Sequence, residues 1–121
     1  MARVLSKLDI LTAPDRKPVP VSVPEWMEPG DQDPPIVHVR KLTGTERAAL
    51  VKQFGKDPSD DKVERLAFAF LACDEAGTTL FTDDDAKDLG EKNGAAIARV
   101  ARRGLYVNGF GSAAVEDHEK N

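Results

Sequence analysis

Seven of the eight prolines in this 121-residue chain, Pro14, Pro18, Pro20, Pro24, Pro29, Pro34 and Pro35, precede residue 36, and only Pro58 follows. Proline lacks a backbone N–H and clashes with the preceding turn inside a helix. Residues 13–35 are therefore predicted to be extended or turning, and the main helices are expected after them. Residues 1–17 form an N-terminal segment with room for one short helix over 1–11. Val19, Val21 and Val23 then alternate with Pro18, Pro20, Ser22 and Pro24, which places three valines on one face of a strand. The prolines restrict that strand to a sheet edge. Residues 36–41 repeat the alternation, with Val37 and Val39 on one face and His38 and Arg40 on the other. The two strands predict a β-hairpin over 18–41, joined by a long, flexible, turn-rich loop at 27–35.

From residue 42 the pattern turns helical. Thr43-Gly44-Thr45-Glu46 has capping-box spacing, in which the threonine oxygen accepts a backbone N–H and the glutamate reaches back. Ala48, Leu50, Val51 and Phe54 make the apolar stripe of a helix over 43–55, stopped by Gly55. Asp57-Pro58-Ser59-Asp60-Asp61 opens a second helix with acids at its positive end. Its apolar residues Val63, Leu66, Ala67, Phe70 and Leu71 are joined by Phe68, Ala69, Ala72 and Cys73, which predicts the buried centre of the fold. Thr82 caps a short helix that ends at Gly90. Residues 92–108 form the last, amphipathic helix, with Gly104 allowing close packing and 110–121 left as a tail. The expected fold class is mainly α: one small helical domain of about four helices over 42–109 with an N-terminal β-hairpin, a size that suits one modest core.

Reactive groups are sparse. Cys73 is the sole cysteine and His38 and His118 the sole histidines, so a disulfide framework, a multi-cysteine zinc site and a serine–histidine triad are all disfavoured. Cys73 reads as a buried structural thiol. The acids around Asp74, Glu75 and Asp83 lack the ligand spacing and terminal glutamate of a calcium loop, and helix caps account for them. No catalytic residue, metal or cofactor is expected, so an enzyme is disfavoured. No apolar run approaches the ~20 residues that span a bilayer, and no membrane partner is expected.

Net charge is −4, yet it is unevenly spread: residues 57–91 hold eleven acids and three bases, whereas 92–121 hold five bases and three acids. Arg99, Arg102 and Arg103 share one helix face. That face could meet phosphates, an acidic partner, or the acidic band around Asp83, Asp84 and Asp85. The last option, realised between copies, predicts self-association. Two readings follow from residue chemistry: a protein-binding module or adaptor, and a small DNA-binding regulator that uses the basic helix face. Net acidity weighs against nucleic acid.

The order of segments resembles the tail assembly chaperones of long-tailed, non-contractile bacteriophages. The resemblance is carried by Val23-Pro24-Glu25-Trp26, by Val37-His38-Val39-Arg40-Lys41-Leu42-Thr43-Gly44-Thr45-Glu46-Arg47, and by residues 74–85 from Asp74-Glu75-Ala76-Gly77 to Asp83-Asp84-Asp85. It continues through Leu89-Gly90-Glu91-Lys92 and Leu105-Tyr106-Val107-Asn108-Gly109 to Glu119-Lys120-Asn121, covering most of 8–121. Two places depart from the family pattern: the loop at 27–35 is longer, and Asn93-Gly94 replaces a helix-favouring pair.

The resemblance implies a non-enzymatic protein of the host cell cytoplasm that is absent from the finished virion. Its implied partners are the tape-measure protein, which it coats and keeps soluble, and tail-tube subunits, recruited chiefly through a longer form made by programmed frameshifting. This chain resembles the shorter form, and Glu119-Lys120-Asn121 can be encoded by an adenine-rich slippery tract. Self-association into weak oligomers or filaments along the tape measure is also implied. Such a chaperone needs exposed apolar surface. The residues proposed for it are Trp26 and Met27 at the loop mouth, Leu80, Phe81, Leu105 and Tyr106 at helix ends, and Phe110. Phe81 and Leu105 also fit a core, and Trp26 also fits packing back onto the hairpin.

Overall fold

A computed structural model describes residues 1–110. In chain order the elements are α1 (Lys7–Thr12), β1 (Val19–Ser22), β2 (Ile36–Val39), α2 (Gly44–Phe54), α3 (Asp60–Leu71), β3 (Ala72–Cys73), α4 (Ala86–Leu89) and α5 (Gly94–Val107). Short 3₁₀ turns occupy Pro24–Trp26 and Asp83–Asp85. The helix-dominated domain with a small N-terminal sheet agrees with the expected class. Among the described residues five helices stand where about four were expected over 42–109, because α1 also forms.

The hairpin forms in antiparallel register, Val19 opposite Val39 and Val21 opposite Val37. Its outer strand, β1, lies at the sheet edge, as its prolines require. The sheet gains a third strand that periodicity does not reveal. α3 ends at Leu71 rather than at 73, and Ala72 and Cys73 turn extended to pair with Val39 and His38 of β2. Arg40 N–H donates to the Leu71 carbonyl at 2.9 Å where helix gives way to strand. The second edge of β2 offers unpaired backbone groups, and two small buried residues can satisfy them without leaving the core. Gly77, at φ +89°, then turns the chain so that Thr79 bridges back to Cys73.

The helix starts follow cap chemistry. The Thr43 side chain accepts Glu46 N–H at 3.1 Å while Glu46 accepts Thr43 N–H at 2.9 Å, the predicted reciprocal cap of α2. α3 begins later than expected because Ser59, not Asp57, accepts the Lys62 N–H; Asp57 lies in the preceding turn at φ +55°. Asn93 caps α5 by accepting Ala96 N–H at 3.0 Å, which sets that helix start at Gly94 rather than 92.

α3 and α5 pack against each other over the sheet. Phe68, Leu71, Val39 and Val100 are buried between them, with Leu50 closing one side. The close contact expected at Gly104 is present: a Cβ there would lie 2.7 Å from Leu71 Cδ1 and 3.4 Å from Val39 Cγ1. Phe110 does not belong to a loose tail. Its ring packs edge-on to Phe54 at 6.5 Å, and its N–H donates to the Leu105 carbonyl at 3.0 Å. The rest of the predicted tail, 111–121, including His118 and Glu119-Lys120-Asn121, lies outside the described residues.

Candidate functional site: an apolar groove beside the sheet

After Val23 the chain enters the 3₁₀ turn, closed by Trp26 N–H donating to the Val23 carbonyl at 3.1 Å. The turn is anchored from outside, because the Arg99 guanidinium on α5 grips both carboxylate oxygens of Glu25. This grip holds the Glu25 carboxyl below its ordinary value, with a contribution from the residue's own backbone. Trp26 is thereby presented edge-on to Phe68, with ring centroids 6.1 Å apart and planes at 79°. On the other side, Leu80 N–H donates to the Ala72 carbonyl at 3.1 Å, extending the sheet edge. The next residue, Phe81, lays its ring on Phe68 at 5.7 Å.

Phe68 is the floor of a groove of about 460 Å³ whose lining includes Trp26, Met27, Leu80 and Phe81, with Val37 from β2 and Leu89 from α4. Glu28 and Lys92 are its charged members. Met27 and Leu80 remain 42% and 55% exposed, so apolar surface is available at the groove for a partner side chain to cover. Seven of its nine lining residues are apolar, which suits a receptor for apolar side chains.

Four of the sequence-nominated residues, Trp26, Met27, Leu80 and Phe81, thus meet in one place although two distant segments supply them. Leu105 is 4% exposed and belongs to the core, which corrects its nomination as surface: its side of α5 faces α3 and the sheet. Tyr106 is exposed but stands elsewhere, with the Arg103 guanidinium 5.7 Å above its ring. Phe110 is half-buried against Phe54 and covered by Arg47 at 4.2 Å.

The single basic face expected on the last helix is divided. Arg99 holds Glu25, Arg102 lies 3.4 Å from Glu64 on α3, and Arg103 stacks on Tyr106. Those contacts draw the arginines onto the domain's own surface. Of the aspartates, Asp85 accepts the Thr82 N–H at 2.7 Å in a capping role, and Asp83 accepts from Gln53 at 3.2 Å. Cys73 is buried; burial pushes its thiol up, as does the Asp74 carboxylate, against a smaller opposing effect of Arg40. Among the described residues, no three His, Cys, Asp or Glu side chains converge as a metal site.

Sequence reasoning missed the groove's supports. Glu25 and Arg99 pair across most of the chain, and neither type nor spacing marks them. Asn108, expected only as a helix stop, ties the end of α5 to the segment that follows β2: it accepts Leu42 N–H at 2.6 Å and donates to the Arg40 and Gly104 carbonyls at 3.0 and 2.8 Å.

Residues 10–103 match the family model for phage tail assembly chaperones. The fold is similar to the solved structure of the bacteriophage HK97 tail assembly chaperone, with a TM-score of 0.54 and 17% identity over 83% of this chain and 94% of that one. No curated protein sequence matches significantly. At that identity the structural likeness bears on the fold alone, whereas the family match spans most of the sequence. The chain belongs to the phage tail assembly chaperone family.

Proposed function

We propose that this protein binds the tape-measure protein during tail assembly, keeps it soluble, and helps bring tail-tube subunits to it in the host cytoplasm without remaining in the finished virion. The observation that carries this reading is the open apolar groove between the Trp26 turn and the Leu80-Phe81 segment, on a domain of the chaperone family. A long helical partner presents apolar side chains at i, i+3, i+4 and i+7, and an apolar groove with a few charged members accepts one such stripe. Binding rests on shape and burial, which allows many weak, reversible contacts along one partner. Recruitment of tail-tube subunits runs chiefly through a longer, frameshifted product.

The experiment is co-expression with the tape-measure protein encoded by the same phage. That protein should become soluble and copurify with the wild-type chaperone. With Leu80→Asp, which places a carboxylate in the groove, it should stay insoluble. Equal solubilisation by both would overturn the groove assignment, and no solubilisation by either would overturn the function.

A further inference from the structure

Backbone donors on both walls of the groove are engaged within the domain. On one wall the N–H groups of Trp26 and Met27 donate to the carbonyls of Val23 and Pro24 at 3.1 and 3.2 Å, and that of Glu28 donates to Asp31 Oδ2 at 2.8 Å. On the other, Leu80 N–H is held by the Ala72 carbonyl and Thr82 N–H by Asp85 Oδ2 at 2.7 Å.

The outer edge of the sheet is closed as well. Val23 N–H donates to the Pro35 carbonyl at 2.8 Å, and Val21 and Val19 stand in the same phase of the ladder, opposite Val37 and Val39. Positions 18, 20, 22 and 24 therefore turn their backbone outward. Three of these four are proline, which leaves Ser22 N–H as the donor among them. An extended peptide is held by pairing its backbone with such an edge, and here its carbonyls would find few partners. A helix satisfies its own backbone and needs none.

Charge narrows the choice of helix. Glu28 follows Met27 on the first wall, and Lys92 closes the turn after α4, its N–H donating to the Leu89 carbonyl at 3.1 Å. Both side chains are exposed, and among the described residues neither forms an ion pair, whereas nearby Glu25 is gripped by Arg99. Their charges cancel, so the groove exerts no net pull. What they supply is one negative and one positive point on separate segments of the lining, and a partner is favoured when its own charges answer both. We infer that the groove selects an amphipathic helix whose apolar pair, one turn apart, seats over Phe68 between Trp26 and Phe81 and is bracketed by a base that meets Glu28 and an acid that meets Lys92. A helix bracketed by like charges meets repulsion at one of the two points. This selection rests on the groove as the binding surface proposed above, and is independent of which protein carries the helix.

The test titrates the full chain with three synthetic, alanine-rich helical peptides at physiological salt, where charges beyond ~8 Å are largely screened. Each carries a leucine pair one turn apart, bracketed by one lysine and one glutamate, by two lysines, or by two glutamates. Calorimetry gives the affinities, and emission of Trp26, the sole tryptophan, reports occupation of the groove. Wild type should bind the mixed-charge peptide severalfold more tightly than either of the others. Glu28→Lys should move the preference to the two-glutamate peptide and Lys92→Glu to the two-lysine peptide, with unchanged thermal transitions because both side chains are exposed. A mixed-charge peptide with proline between its leucines should lose binding. Equal affinity of wild type for the three peptides, or a preference that the variants do not move, would overturn the charge selection. Undiminished binding of the proline peptide would overturn the helical occupant, and no binding by any peptide would overturn both. Charge-selective binding beside failed solubilisation of the tape-measure protein leaves this inference standing and removes the tape-measure reading; solubilisation without charge selection does the opposite.

Discussion

Glu25 and Arg99 clasp each other through both carboxylate oxygens, Arg99 Nη2 reaching Glu25 Oε2 at 2.6 Å, and so fasten the turn that carries Trp26 to the outer side of α5. The pair links the groove's position to the helix that forms much of the core. It also gives the groove a dependence on acid.

Glu25 is held below its ordinary value of 4.5, first by Arg99 and then by its own backbone. Glu46 is held below the same value, first by the Thr43 N–H and then by Arg40. A carboxyl whose folded pKa is depressed adds stability that is fully present above its unfolded pKa and is lost as pH falls through the folded one. Urea midpoints should therefore hold steady from about pH 7 down to the ordinary glutamate range and drop below it. Glu25→Gln should be less stable than wild type at neutral pH, and the gap should close on acidification. A gap that stays constant with pH would show that the charge is immaterial. Arg99→Ala should shift Trp26 emission at neutral pH by freeing its turn.

Gly104 sets the distance between α5 and α3. Alanine is worth about 1 kcal/mol over glycine in a helix interior, so Gly104→Ala would stabilise an exposed site. Here the new methyl would lie 2.7 Å from Leu71 Cδ1, and Leu71 is itself fully buried against the sheet. Overpacking of that kind costs about 1–3 kcal/mol, which outweighs the propensity gain. Chemical denaturation should show a net loss of up to about 2 kcal/mol; a gain would mean that Leu71 has room to swing aside.

The Asn108 amide serves three backbone groups at once. Asn108→Ala leaves the Leu42 N–H and two carbonyls without that partner in a half-buried site, at a cost of about 2–3 kcal/mol. Asn108→Asp keeps the acceptor for Leu42 but offers no donor to the carbonyls of Arg40 and Gly104, so it should recover only part of the loss. Urea unfolding of the two variants distinguishes a hydrogen-bonding role from simple helix termination, for which alanine and aspartate would behave alike.

The legible parts of this fold are those encoded locally. Thr43 and Glu46 are three residues apart and form the cap that their spacing promises, and the valines at 19, 21, 37 and 39 pair as their alternation requires. β3 was illegible because Ala72 and Cys73 continue an apolar run that suits a buried helix equally well; only the free edge of β2, a tertiary feature, draws them out. The basic face of Arg99, Arg102 and Arg103 is a correct reading of helical spacing, but the acids that engage Arg99 and Arg102 lie on other segments. Likewise Trp26 and Phe81 are legible as aromatics near turns, whereas their meeting over Phe68 depends on how three segments pack.

That packing decides which substitution separates binding from folding. Trp26 is the natural probe from sequence, yet its ring packs on Phe68 and belongs to the partly buried shell of the core, so Trp26→Ala removes folding contacts along with groove wall. Large aromatic truncations in full cores cost about 3–5 kcal/mol, and a half-buried one costs a lesser but measurable amount. Leu80 is 55% exposed, and its backbone N–H, not its side chain, fixes it to Ala72. Leu80→Asp should leave the unfolding free energy within about 0.5 kcal/mol, as for an exposed site, while abolishing tape-measure solubilisation. Trp26→Ala should lower both. Measuring unfolding and copurification on the same two variants checks this: equal loss of stability in both would place Leu80 among the structural residues, and undiminished copurification with Leu80→Asp would move the binding surface away from the groove.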